Sequence, residues 1–119
     1  MKKIFLIVSL LLFGVLAFAE GRIISDNMNN GTRIVKYQPD EMICASMFEI
    51  HLKGNVVTLY KPFGGCSGNG RGIGALVKGM TVDQAISRLE GIPCGNRPTS
   101  CPDQLAQALK AIKAKDAKK

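Results

Sequence analysis

Residues 42–60 read MICASMFEIHLKGNVVTLY, and this stretch decides the fold. From Met42 to Lys53 the residues alternate, placing Cys44, Ser46, Phe48, Ile50 and Leu52 on one side of a strand. Gly54-Asn55 supplies a two-residue turn, and Val56 to Tyr60 is β-branched and aromatic. Two such runs around Gly-Asn predict a β-hairpin. Upstream, Thr32 to Gln38 is a further short strand, ended by Pro39-Asp40, and residues 20–31 (EGRIISDNMNNG) read as a loose polar leader. Downstream the period changes. Gly64 to Gly72 is glycine-rich, which predicts a loop or a helix start where the backbone approaches something closely. Ile73, Leu76, Val77 and Met80 fall at helical spacing, with Gly79 as a stop. Thr81 and Gln84 form a capping box for a second helix faced by Val82, Ala85, Ile86 and Leu89 and closed by Gly91. After a loop over 92–100, Pro102 and Asp103 suit the first turn of a third helix with Leu105, Ala108, Leu109 and Ile112 as its apolar stripe. Strands followed by helices predict a two-layer α+β domain: a small antiparallel three-stranded sheet covered by about three helices.

The chain opens with Lys2 and Lys3, an uncharged run from Ile4 to Phe18, and Ala17-Phe18-Ala19, the small-x-small pattern that precedes cleavage. That order predicts a secretory signal peptide over residues 1–19, and hence an exported protein, periplasmic or secreted. The alternatives are an uncleaved N-terminal membrane anchor or a cytoplasmic protein whose apolar start misleads. The formal charge of +7 falls to +5 without Lys2 and Lys3, and +4 of that comes from the five lysines and one aspartate in Lys110–Lys119. The body is close to neutral, and residues 114–119 form a basic tail. No aromatic residue interleaves with those lysines, so nucleic acid is an unlikely partner, and a solvated helix end is the expectation.

Chemistry concentrates in four cysteines: Cys44 on the second strand, Cys66 beyond the third, Cys94 in the loop before the last helix, and Cys101 at that helix's start. A thiol at a helix N-terminus meets partial positive charge, which favours thiolate, the form that binds metal. Three readings stand. Four thiolates can hold zinc or an iron–sulfur cluster; export can turn them into two disulfides; or they can be small buried residues with one redox-active pair. Gly70-x-Gly72-x-x-Ala75 loosely matches a dinucleotide fingerprint, but the chain is too short for the sheet that motif needs. His51, the only histidine, points away from the Cys44 side by strand parity. No Ser-His-Asp set or carboxylate pair supports a self-contained active site.

Thr99-Ser100-Cys101-Pro102-Asp103, together with Gly64-Gly65-Cys66-Ser67-Gly68-Asn69, Val77-Lys78-Gly79-Met80 and Gly91-Ile92-Pro93-Cys94-Gly95, resembles the TSCPD domain over about Thr32 to Ile112. That domain also occurs near the C-terminus of adenosylcobalamin-dependent (class II) ribonucleotide reductases. The resemblance implies a metal site made by Cys44, Cys66, Cys94 and Cys101, with zinc ahead of an iron–sulfur cluster. It also implies a ribonucleotide reductase or another protein as partner. A rival implication is a ribonucleoside-diphosphate reductase-related protein acting with a partner subunit in deoxyribonucleotide synthesis. A fainter similarity links Cys44, Cys66, Val77-Lys78-Gly79, Thr81-Val82-Asp83 and Cys101 to U-type iron–sulfur cluster scaffolds. Those carry an aspartate and a histidine where this chain has Ser46 and Ser100.

Overall fold

The computed structural model describes residues 21–118, so the predicted signal peptide over 1–19 lies outside the described residues. The elements run β1 (Arg22–Asn29), β2 (Thr32–Gln38), β3 (Ala45–Lys53), β4 (Val56–Gly64), α1 (Ser67–Val77), α2 (Val82–Leu89) and α3 (Cys101–Ala117). The four strands form one antiparallel meander in the order β1-β2-β3-β4. The α+β architecture and the β3–β4 hairpin are as the residue pattern predicts, but the sheet has four strands where three were expected. The extra one is β1, in the stretch read as a loose leader. Asn30 and Gly31 take φ values of 51° and 81° and close a tight turn between β1 and β2, the Asn-Gly chemistry that favours hairpins. β1 shows little alternation because it buries little, and backbone pairing with β2 from Arg22↔Gln38 to Asn29↔Thr32 holds it.

One face of the sheet carries the core. Val35, Ile50 and Tyr60 lie side by side on β2, β3 and β4, as do Tyr37 and Phe48. The Phe48 ring meets the Tyr60 ring edge-on with centroids 5.2 Å apart. Against this layer the helices set Val77, Val82, Ala85, Leu105, Ala108, Leu109 and Ile112. The predicted stripe of the last helix is buried along its whole length. Leu76, expected on the core side of α1, is instead 71 % exposed.

Of the two readings of the glycine-rich run, loop or helix start, the helix start forms. Gly64 and Gly65, at φ 84° and 77°, turn the chain from β4 into α1, and residues from Ser67 onward are helical. A Cβ on Gly70 would come within 2.5 Å of Pro62 Cγ, and one on Gly74 within 2.9 Å of the Tyr60 carbonyl oxygen. The missing side chains therefore let α1 lie directly on β4. Beyond α1, Gly79 N–H donates to Val57 O and Val57 N–H to Met80 O, both at 2.8 Å, covering the β4 edge. Thr81 and Gln84 complete both arms of the capping box.

Much of the lysine-rich second half of α3 is paired. Lys110 pairs with Glu90 and Lys113 with Asp83, each at 2.5 Å. Lys115 reaches Asp26 at 3.0 Å, and Asp116 meets Arg33 at 2.8 Å. Arg33 also donates twice to Asp26, at 2.8 and 2.6 Å, so β1, β2 and the end of α3 share one charge cluster. The exposed lysine pairs contribute little each, but the Asp26 side chain is only 9 % exposed. The hydrogen bonds from Arg33, then those from Lys115, hold its carboxylate well below the usual range despite burial. A depressed folded-state value contributes stability above the unfolded value of about 3.9, and that contribution is lost as pH falls toward the folded value. Asp26→Asn is expected to lower stability at neutral pH by about 1 to 2 kcal/mol. Urea melts from pH 7 down to pH 3 should show the gap between variant and wild type closing below about pH 4.

Candidate functional site

All four cysteines line a single cleft of about 460 Å³, together with Tyr60, Pro62, Ile73 and Leu76. Each is a free thiol. Cys44, Cys66 and Cys94 are exposed, and Cys101 is partly covered. The sequence places them in four different segments, and the fold brings those segments together.

Cys44 is not on the strand, contrary to the alternation. β3 begins at Ala45, and the register slips between Ala45 and Met47: two residues on β3 stand against one step from Gly64 to Phe63 on β4. Ser46 is the extra residue of this bulge, and its hydroxyl donates to the Phe63 carbonyl at 3.2 Å. A bulge reverses the parity of everything before it. Ala45 therefore turns inward, and Cys44 lies off the Phe48 side, against Gly65. A Cβ at Gly65 would sit 3.2 Å from Cys44 Cβ, so the glycine keeps that approach open.

Cys66 is the N-cap of α1, and Cys101 is the first residue of α3. Two helix N-termini thus present partial positive charge to sulfurs in the same cleft, which favours anionic ligands there. Cys94 sits in a tight turn, exchanging backbone hydrogen bonds with Arg97 at 3.2 and 2.9 Å. Arg97 in turn donates from Nη1 to the Met42 carbonyl at 2.9 Å, tying the Cys94 turn to the segment that leads into Cys44.

The Thr99–Asp103 run is the organiser. Among the described residues, the buried polar and charged ones are Thr99, Ser100, Asp103 and Gln104. The Asp103 carboxylate accepts from Thr99 Oγ1 at 2.5 Å, from Gly91 N–H at 2.7 Å and from Gln107 Nε2 at 3.3 Å. Ser100 Oγ accepts from Asp103 N–H as the helix cap and donates to the Ile92 carbonyl at 2.6 Å. Gln104 donates to Thr99 Oγ1 at 2.9 Å and accepts from Asp40 N–H at 3.0 Å. Asp40 caps the turn into Cys44 through Met42 N–H at 2.8 Å. One network therefore fixes both ends of the Cys94 loop and the approach to Cys44. Burial alone would raise the Asp103 pKa, but the bonds from Thr99, Gly91 and Gln107, with the Lys110 charge, hold it below its ordinary value. From sequence, Asp103 is legible only as a favourable charge in a first helical turn. Thr99 and Gln107 lie four residues to either side, but the Gly91 amide, twelve residues upstream, leaves no local signal.

The convergence has a limit. Among the described residues, no three His, Cys, Asp or Glu side chains are placed to share one ion. His51 is on the opposite side of the sheet, 3.4 Å from a Glu49 carboxylate oxygen without hydrogen-bond alignment. As a donor set, four thiols at two helix starts and two turns suit a soft metal. Binding one would require the cleft to draw together.

Removing a donor from a buried carboxylate leaves it short of partners. Thr99→Val is therefore expected to cost about 1 to 3 kcal/mol in urea denaturation, with Thr99→Ser restoring most of it. Hydrogen exchange at the Gly91 amide should accelerate in the valine variant. Unchanged exchange there would show that Asp103 holds the loop without Thr99.

No curated protein and no solved structure matches the chain. A family model described as the TSCPD domain matches residues 26–113, from within β1 to within α3. The matched span takes in all four cysteines and the whole Asp103 network, and the chain belongs to the TSCPD domain family.

Proposed function

We infer that this protein is a small metal-binding module in which Cys44, Cys66, Cys94 and Cys101 hold one zinc ion, without catalysis of its own. The observation that supports it is the convergence of four free thiols, from four separate segments, on one cleft. Two of them stand at helix N-termini, and a buried network positions the segments of three. A four-thiolate zinc site is closed and structural, and zinc there would cross-link the sheet to α1 and α3. An iron–sulfur cluster uses the same donors and is the alternative occupant. A ribonucleotide reductase or another protein as partner, and export, belong to the same proposal and rest on the family and on residues 1–19.

Metal binding to such a site is folding free energy. A ligand at a thousand times its dissociation constant stabilises by about 4 kcal/mol. In a domain of this size each kcal/mol moves the melting temperature by about 4 to 8 °C. Zinc added to reduced, metal-free protein is therefore expected to raise the melting temperature by more than about 15 °C. Each single Cys→Ser change should remove most of that gain while leaving the metal-free melting temperature nearly unchanged. A zinc response that survives in all four serine variants would overturn the assignment. No free thiol in wild type and one in each serine variant, counted after denaturation of aerobically prepared protein, would point instead to paired disulfides.

A further inference from the structure

An ion at the sulfurs accounts for the four thiols and leaves the rest of their cleft unexplained. Its lining includes the α1 face from Gly68 through Gly72 and Ile73 to Leu76, with Pro62 beside it. Gly68 and Gly72 have nothing within 4 Å of where a Cβ would stand. Gly70 and Gly74 seat α1 on the sheet, but no internal contact requires these two to be glycine. Leu76 extends the same face with apolar surface turned to solvent. The space, about 460 Å³, is within the range of small-molecule sites.

Two features say what chemistry would enter. The first is the Tyr60 hydroxyl. Tyr60 lines the cleft and is 6 % exposed, yet its hydroxyl has no hydrogen-bond partner among the described residues. A buried donor left unpaired is unfavourable, and phenylalanine would fill the same space without that penalty. The second is the start of α1. Its N-cap, Cys66, makes no side-chain hydrogen bond, and its first turn carries no acidic residue. By contrast, α2 and α3 have Thr81 and Ser100 as caps, with Asp83 and Asp103 in their first turns. The positive end of the α1 dipole is therefore unanswered. Among the described residues no Asp, Glu, Lys or Arg lines the cleft, and Ser100 Oγ is already both donor and acceptor. The cleft thus offers donors without an acid to meet them, beside an apolar wall.

We propose that this cleft, in the reduced and metal-free protein, binds a small organic carboxylate with an apolar, acyl-chain body. The carboxylate takes the unanswered donors, and the chain lies along Gly72 and Ile73 towards Leu76. The glycines let it rest against the helix backbone. The Tyr60 hydroxyl is closed to water in the empty fold, so the head group reaches it by parting the side chains above it, a rotamer-scale change. The inference needs no metal and goes beyond the metal-binding reading rather than resting on it.

Decanoate, kept below its micelle-forming concentration, is the probe, titrated by calorimetry into reduced protein with a chelator present. One decanoate per chain is expected to bind. The alcohol 1-decanol, with the same chain and no charge, should bind at least about tenfold more weakly. Tyr60→Phe should weaken decanoate by about tenfold, since hydrogen bonds to charged groups are the strong ones. The same variant should be at least as stable as wild type in urea. Leu76→Asp, at an exposed position, should also weaken decanoate by about tenfold, through lost apolar contact and a like charge. No decanoate binding, or decanol bound as tightly as decanoate, overturns the inference. Unchanged decanoate affinity in either variant overturns it too, because the ligand would then sit elsewhere. Should Tyr60→Phe fail to fold, Leu76→Asp decides alone. Each of these outcomes leaves the zinc response of the melting temperature, and the reading it tests, untouched.

Discussion

The Asp103 carboxylate, buried at the start of α3, accepts from Thr99, from the Gly91 backbone and from Gln107. Three of the four cysteines depend on the arrangement it anchors. Through Gly91 and Thr99 it pins both ends of the loop that carries Cys94. Through Thr99 and Gln104 the same network reaches Asp40 and the turn into Cys44. Cys101 is part of the helix start itself. A charge with several directional partners in a low-dielectric setting is costly to leave half-satisfied, so such a network adopts one geometry rather than several. The sequence Thr-Ser-Cys-Pro-Asp then has a structural meaning for each member: Thr99 and Asp103 clamp the loop, Ser100 caps the helix, Pro102 fits its first turn, and Cys101 is the residue so presented.

The opposite end of α3 is fixed by different means. Lys115 and Asp116 join Asp26 and Arg33 where the helix crosses the first hairpin. The lysine-rich terminus therefore stabilises the fold through charge pairs that salt would weaken, whereas the cysteine end relies on buried hydrogen bonds that salt would not. Between the two, the apolar stripe from Leu105 to Ile112 fixes how the helix lies on the sheet. The cleft's position at one end of α3 follows from that division of labour.

Much of the fold is legible in the residues. The Gly54-Asn55 hairpin, the Thr81–Gln84 capping box and the Leu105–Ile112 stripe each carry a local signature, and each forms as its signature predicts. What escapes is whatever depends on distant partners. β1 has an exposed, weakly patterned sequence, and only its pairing with β2 makes it a strand, although Asn30-Gly31 marks the turn. The bulge at Ser46 reverses the parity that would put Cys44 beside Phe48, and nothing in residues 42–53 announces it. The glycines between 64 and 72 read as a loop or a helix start, and only the fold shows what is approached: Gly70, with Gly74 beyond the run, lets α1 lie on Pro62 and Tyr60. Of the site, the four cysteines are legible by type and by the motifs around them. Their supports, Arg97 and Gln104, are ordinary residues in a sequence and become informative only through what they touch.

The central claim is that the four thiols serve one metal ion, and elemental analysis with thiol counting on protein purified without oxygen tests it most directly. The account predicts about one zinc per chain, or a few irons if a cluster is the occupant, with four free thiols appearing on denaturation in the presence of a chelator. Protein that carries no metal and releases no thiols would contradict it. The cleft would then hold two disulfides, and the Asp103 network would serve to align sulfur pairs rather than ligands.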